Sequence, residues 1–153
     1  MALTTFSGPV KSNNGVINQG AVDLTADTTL TVESHAGRVL TTNDADGKFT
    51  LPTITSDNIG STFTFYVETA ATDMDIKTDG TDKFIGFMEM VRDDATSKAF
   101  VPGATNDVIT MNGSTKGGAV GTVLTITAVA LAKYHVNSHG VGSGTTVTPF
   151  ADA

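Results

Sequence analysis

The sequence contains no cysteine and no tryptophan, and only two of its 153 residues are tyrosine. The absence of cysteine excludes disulfide bonds, thiolate zinc sites and thiol catalysis. Charged residues make up only 16% of the chain, below the usual quarter, and nine of them are basic. With a net charge of −7 the chain lacks the basic surface that phosphate backbones require, so we expect no nucleic-acid partner.

Long hydrophobic runs are also missing. The longest mostly apolar stretch, Val123 to Ala132, is too short and too often interrupted by threonine to span a bilayer. We therefore expect no membrane partner.

Threonine and glycine take the place of the missing charges, with 27 and 16 copies respectively. Threonine is β-branched and favours strands, whereas glycine favours turns. Apolar and polar residues alternate in short segments bounded by Gly, Asn, Asp or Pro, which is the pattern of a half-buried strand. The clearest segments are "TTLTVE", "GKFTLP", "STFTFYVE", "TDMDIKTDG", "GTVLTITAVA", "KYHVN" and "TTVTPF".

This pattern predicts an all-β fold, namely a β-sandwich of about eight strands. A jelly-roll-like topology is the first choice and an immunoglobulin-like topology the second. Only Val91 to Phe100 has a helical pattern, so we expect at most one short helix. The predicted hairpin turns, where the residue pairs tolerate a positive φ, are Asp46-Gly47, Asp79-Gly80 and Asn112-Gly113.

The two ends of the chain differ in composition from the middle. Residues 1–20 and 137–153 are rich in Gly, Ser, Asn and Thr, and neither could bury a core alone. We therefore predict a sandwich domain over residues 21–136, with an extended arm before it and an extended tail after it.

One predicted strand, "DKFIGFMEMV", is apolar on both faces. Such a strand is either central in the sandwich or has one face against another subunit, and the sequence leaves both open. Phe84, Phe87 and Met88 are accordingly our candidate partner contacts in the domain. In the arm, the candidate anchors are Phe6, Pro9 and Val10.

The histidines could suggest a metal site or a catalytic triad. His135 and His139 have the four-residue spacing that binds metal on a helix, but the alternation around them predicts a strand. His35 lies beside Glu33 and Ser34, yet the chain has no G-x-S-x-G motif to present a nucleophile. We therefore predict no catalytic residue, no metal site and no cofactor.

The acidic segment from Asp73 to Asp82 is the remaining candidate for ion binding. Carboxylates in a loop suit calcium, but the EF-hand spacing is not met and no glutamate closes the loop. A solvated loop is the favoured interpretation, and calcium stays open as the alternative.

Most of the chain resembles a known class of protein. The opening "FSGPVKSNNG", the stretch "TLTVESHAGRVLTTNDADGKFTLPTITSDNIGSTFTFYV", and the segments "TDGTDKFIG" and "AKYHVNSHGVGSGTTVTPF" resemble small virion structural proteins of tailed bacteriophages. Among these, the chain is most similar to capsid decoration (cement) proteins. The usual tryptophan of the final strand is absent, and Tyr134 stands in that region.

The resemblance implies a function without catalytic residues. It implies a β-sandwich or jelly-roll domain, often a homotrimer, that lies on the outer capsid surface and bridges subunits of the major capsid protein. Two other functions remain open. A tail-fibre, spike or head-fibre module would bind a host receptor or glycan, although two tyrosines and no tryptophan offer little surface for stacking on sugars. A small hydrolase comes third, because no spacing in the chain indicates convergent catalytic groups.

Overall fold

The computed structural model describes residues 20–92 and 94–153. The predicted N-terminal arm therefore lies outside the described residues, apart from Gly20. The candidate anchors Phe6, Pro9 and Val10 lie outside them as well.

Nearly half of the described residues form two packed β-sheets, which confirm the predicted all-β sandwich. In chain order the elements are β1 (Val22–Leu24), β2 (Thr28–Thr29), α1 (Val32–His35), β3 (Val39–Thr42), β4 (Lys48–Thr50), β5 (Thr62–Val67), β6 (Met74–Lys77), β7 (Lys83–Arg92), β8 (Ser97–Phe100), β9 (Val108–Met111), β10 (Val123–Ala130), β11 (Lys133–Gly142) and β12 (Phe150–Ala151). Within the described residues, no helix is long and apolar enough to cross a membrane.

The first half of the chain winds back and forth between the two sheets. The seven-stranded sheet has the order β1-β3-β5-β10-β11-β7-β8, and the five-stranded sheet has the order β12-β9-β6-β4-β2. From β1 to β7, odd-numbered strands therefore enter the first sheet and even-numbered strands the second. As a result β1, β3 and β5 pair in parallel, and so do β2, β4 and β6 in the other sheet.

This winding differs from both topologies predicted for the sandwich. Jelly rolls and immunoglobulin sandwiches are built from antiparallel strands. Among the described residues, five of the ten strand pairings are parallel. Alternation of side chains has the same period in parallel and antiparallel strands, so it could not distinguish these connections.

The three predicted hairpin turns are turns, but each one joins the two sheets. Asp46-Gly47 lies between β3 and β4, Asp79-Gly80 between β6 and β7, and Asn112-Gly113 between β9 and β10. The hairpins among the described residues are instead β7–β8 and β10–β11.

The helix predicted from Val91 to Phe100 is wrong, because this segment forms the end of β7, a turn and β8. Val91 lies opposite Ser97 in the antiparallel pair. In the turn, the Asp94 carboxylate accepts hydrogen bonds from the backbone N–H and the hydroxyl of Thr96. This local side-chain bonding stabilises a turn in place of a helix.

The helix of the described chain lies where "TTLTVE" predicted a strand, so that strand prediction is wrong beyond Thr29. The hydroxyl of Thr31 accepts a hydrogen bond from the N–H of Ser34 and caps the helix start. Leu30 is buried before the cap.

The predicted boundary between domain and C-terminal tail falls inside β11, which continues to Gly142. Further along, β12 pairs with β9, and Phe150 is buried. The backbone N–H of Ala153 donates to the Asp107 carboxylate at 2.9 Å. These contacts join the predicted tail to the five-stranded sheet. The tail thus supplies Phe150 to the core.

The core lies between the inner faces of the two sheets. The rings of Phe49 in β4 and Phe65 in β5 meet across it, with centroids 6.3 Å apart. Tyr134 is buried beside Phe84 and donates its hydroxyl hydrogen bond to the carbonyl oxygen of Pro52. This bond satisfies the polar end of an otherwise apolar side chain.

Candidate docking face on the seven-stranded sheet

The outward side of the seven-stranded sheet carries most of the exposed apolar side chains. We call the outward-facing side chains of β3, β5, β10, β11 and β7 the outer face. Seven of the twelve large apolar side chains that are exposed among the described residues belong to it, and the other five lie outside strands. The seven are Val39, Tyr66, Ile85, Phe87, Val91, Val129 and Val141.

The alternation that fills the core also builds this surface. In β5, Phe63 and Phe65 point into the core, so Thr64 and Tyr66 point outward. Threonine supplies most of the remaining outward positions on β3, β5 and β10. These half-buried threonines are Thr41, Thr62, Thr64, Thr125 and Thr127.

Strand register aligns the outward side chains in rows across the sheet. Phe87 on β7 lies opposite Asn137, and Asn137 lies opposite Thr125 on β10. The same row continues from Thr125 to Thr64 and then to Val39 on β3. This row therefore crosses five strands, with apolar side chains at its two ends and asparagine and threonine between them.

The outer face carries almost no net charge. Glu89 is the one Asp or Glu in these five strands, and Lys133 and Lys83, which lie opposite each other, are on the same side of the sheet. Lys83 is paired with Asp107. The chain as a whole has 16 acidic residues. The excess negative charge of the protein is therefore located elsewhere.

Both histidines of β11 lie on the outer face. His135 lies opposite Ile85, and His139 lies opposite Glu89, with 3.7 Å between Nδ1 of His139 and Oε2 of Glu89. Four residues of strand separate the two imidazoles by roughly 13 Å, so they do not converge on one ion. In the part of the chain that the structure describes, no three His, Asp or Glu side chains form a group that could hold a metal.

Gly86 brings β7 and β11 into close contact beneath the outer face. Its φ is +96°, and a Cβ atom there would lie 2.2 Å from the carbonyl oxygen of Val136. The same atom would lie 3.1 Å from Nε2 of His135. Only glycine fits both the backbone conformation and this approach.

The structure separates the three candidate contacts that the sequence grouped together on β7. Phe84 and Met88 are 1% and 0% exposed and belong to the core, whereas Phe87 is 39% exposed on the outer face. Sequence reasoning missed Val129 and Val141, although the same alternation places them outward. The signal that could have found them is the presence of valine at outward positions, where a surface strand usually has polar residues.

In the acidic segment from Asp73 to Asp82, two aspartates serve as hydrogen-bond acceptors for the backbone. Asp79 accepts from the hydroxyl of Thr53 and from the N–H groups of Thr81 and Asp82. Burial alone would raise the pKa of Asp79, but these hydrogen bonds outweigh it and lower the pKa. Burial does raise the pKa of Asp82, whose carboxylate accepts from the N–H of Ile54.

The remaining aspartates of this segment are paired with lysine. Nζ of Lys48 lies 3.1 Å from the Asp73 carboxylate and 3.0 Å from that of Asp75. They lie on the outward side of the five-stranded sheet, beside a pocket of about 380 Å³ that is also lined by Lys77 and Asp152. A lysine already occupies the position between the two carboxylates that a cation would take.

His35 has a structural role in α1. Its Nδ1 accepts a hydrogen bond from the backbone N–H of Thr31 at 3.0 Å. The hydroxyl oxygen of Thr31 lies 3.4 Å from the same ring nitrogen. The arrangement caps the helix start and does not form a nucleophile with Ser34.

No family model matches the chain, and no curated protein or solved structure matches it. The function must therefore be argued from the residues of this chain.

Proposed function

We propose that this protein is a non-enzymatic structural protein of a tailed-bacteriophage virion that decorates the outer capsid surface. Its partners in this proposal are the major capsid protein and further copies of itself. The class comes from the sequence resemblance. The net charge of −7 supports an external position, because it disfavours contact with packaged DNA.

The observation that carries the proposal is the outer face. Exposed Val, Ile, Phe and Tyr side chains lie there among threonine, asparagine and histidine, and exposed apolar side chains grouped on one face are a mark of protein–protein contact sites. Its valine and threonine side chains are stiff at χ1, so ordering them on binding costs little conformational entropy. A surface of this composition fits assembly better than catalysis.

The proposed mechanism is mechanical. A rigid two-sheet domain bridges neighbouring capsid subunits, and many modest contacts repeated by symmetry oppose the outward pressure of packaged DNA. Once one contact of a multivalent protein has formed, the others form at a high effective concentration. Stabilisation of the shell then needs no single strong interaction.

Residues 1–20 are the proposed capsid-binding arm, with Phe6, Pro9 and Val10 as anchors. The arm leads into β1, which is an edge strand of the seven-stranded sheet. Arg38 holds its last residue, since Nε and Nη2 donate to the carbonyl oxygen of Gly20 at 3.0 and 2.7 Å. The residue that joins the proposed arm to the domain is thus held by the domain, and strap-like or strand-addition binding is the mode we propose for the arm.

Deletion of residues 1–15 tests the proposal. The deleted protein should keep its thermal unfolding transition but no longer co-sediment with capsid shells purified from the phage that carries the coding sequence. The full chain should co-sediment and raise the temperature at which the shells break. Failure of the full chain to bind shells would contradict the proposal.

A fibre or spike module that binds a glycan is the second candidate, because Tyr66 and Phe87 are aromatic side chains exposed on the outer face. The other tyrosine, Tyr134, is buried and cannot stack on a sugar. A glycan array separates the two candidates. Specific glycan binding that is lost in Tyr66→Ala would favour the fibre module.

A further inference from the structure

We propose that the outer face is the surface on which a second copy of this chain packs, sheet against sheet, around a two-fold axis. The inference rests on the self-association in the proposed function and names its surface. It can nevertheless be tested on the protein alone, without a capsid.

Charge favours a second copy at this surface over any other surface of the described chain. Two molecules with a net charge of −7 repel each other wherever their acidic residues meet. On the outer face Glu89 is the one carboxylate and Lys133 offsets it, while Lys83 is paired with Asp107. Asp23 on the neighbouring β1 borders the face opposite Thr41. Two copies can therefore approach through this face with little repulsion.

The size of the outer face suits a dimer contact. Five strands about 4.8 Å apart, which average about seven to eight residues in length at roughly 3.3 Å per residue, give a face of roughly 24 Å by 23 Å. Two such faces in contact bury roughly 1,100 Å² in total, just above the ~1,000 Å² expected of a specific interface. We therefore expect a weak dimer that dissociates on dilution.

The shape of the outer face suits an identical partner. Rows such as Phe87, Asn137, Thr125 and Thr64 run across neighbouring strands, and two sheets pack face to face at a usual spacing of about 10 Å. A two-fold axis brings the same patch together from both molecules, so one surface supplies both halves of the contact. This arrangement departs from the trimer that the sequence resemblance implies.

Sedimentation of the purified full chain over a range of concentrations is the first test. The mass should rise from 15.7 kDa towards twice that value as concentration increases. Phe87→Lys and Thr125→Lys place a charge in the middle of the outer face, so either substitution should weaken dimerisation at least tenfold. Val147→Lys is the matched control, because Val147 is 44% exposed outside the outer face, and this variant should dimerise like the parent.

Each variant should also unfold at close to the parent temperature, which separates loss of association from loss of fold. A chain that stays monomeric at all concentrations, or a limiting mass of three chains, would overturn the inference. Dimerisation that Phe87→Lys and Thr125→Lys leave unchanged would overturn it as well. A monomer that still binds capsid shells would overturn this inference while leaving the proposed function intact.

Discussion

The two sheets both have apolar inner sides, but the residues on their outward sides differ in composition. The outer face of the seven-stranded sheet presents valine, threonine, tyrosine and phenylalanine. The outward side of the five-stranded sheet presents Lys48, Thr50, Asp75 and Lys77, and two of these residues form an ion pair. The two outward sides thus differ in composition, since charged residues prevail on one and threonine and apolar residues on the other.

The difference shows that alternation alone does not decide which surface remains in water. Both sheets have the same inward pattern of apolar residues, so the core places no requirement on the outward residues. On the five-stranded sheet these residues carry charges that exclude neighbours by desolvation cost. On the seven-stranded sheet few of them are charged, and depletion of charged residues is typical of the centre of protein interfaces.

The largest expected effect contrasts the two phenylalanines of β7. Phe84→Ala should lower the free energy of unfolding by about 3–5 kcal/mol, because it leaves a cavity in the core. Phe87→Ala on the outer face should lower the free energy of unfolding of the monomer by less than about 1 kcal/mol. Urea denaturation at low protein concentration measures both. Equal losses would contradict the separation of core and outer face on this strand.

The next effect concerns Gly86, which lies beneath the outer face. Gly86→Ala and Gly80→Ala both force alanine to a positive φ, of +96° and +88° respectively. Gly80 has open space around it, so its substitution should cost about 1 kcal/mol for the backbone alone. Gly86→Ala should cost about 2 kcal/mol more, because its Cβ collides with β11. Thermal or urea unfolding of the two variants gives the difference, and a difference near zero would mean that β7 and β11 are not closely packed there.

Acid should weaken the junction between the two sheets at Asp107. Burial would raise the pKa of Asp107, but the hydrogen bonds from Lys83 and from the N–H of Ala153 outweigh it and lower the pKa. A lowered folded-state pKa gives stability that is present above the ordinary value of 3.8 and is lost as pH falls through the folded-state value. Asp107→Asn should therefore be less stable at pH 7 and should lose less stability than the parent between pH 5 and pH 2.

Unfolding free energies measured across that pH range test this prediction. Asp152→Asn is a suitable control, because its carboxylate accepts hydrogen bonds from Thr105 and Asn106 in the same region but has no lysine partner within the described residues. Parallel acid curves for the parent and Asp107→Asn would contradict the assignment.

The smallest expected effect is on the charged side of the five-stranded sheet. Lys48→Met should change the free energy of unfolding by less than about 1 kcal/mol, because exposed ion pairs contribute little. The change should shrink further in high salt, which screens the pair with Asp73 and Asp75. Lys77→Met on the same side is the control, since no ion pair of Lys77 occurs among the described residues. A loss above about 2 kcal/mol for Lys48→Met would mean that this side is more than a solvated surface.

The fold could be predicted from the sequence only as far as side-chain alternation reaches. Alternation correctly indicated the all-β sandwich and the inward positions of Phe49, Phe63 and Phe65. It could not indicate that the chain crosses between sheets after almost every early strand, because turns such as Asp46-Gly47 suit a hairpin and a crossover equally. The helix at Val32–His35 was missed because a single capped turn has too few residues to show a helical period.

The candidate site was predictable in part. The sequence showed that β7 is apolar on both faces, which led to Phe87, but it could not tell which face of the strand is outward. That choice depends on the packing of β7 beside β11, and it places Phe84 and Met88 in the core. The breadth of the outer face depends on the register of five strands, which no local pattern contains.

Labelling of introduced cysteines tests the central claim most directly, because the chain has no cysteine of its own. Thr125→Cys lies in the middle of the outer face, and Thr50→Cys lies at a comparable half-buried position on the outward side of the five-stranded sheet. Reaction rates with a maleimide are compared at low and at high protein concentration. The account predicts that assembly slows the reaction of Thr125→Cys and leaves that of Thr50→Cys unchanged. Protection of Thr50→Cys alone would contradict it.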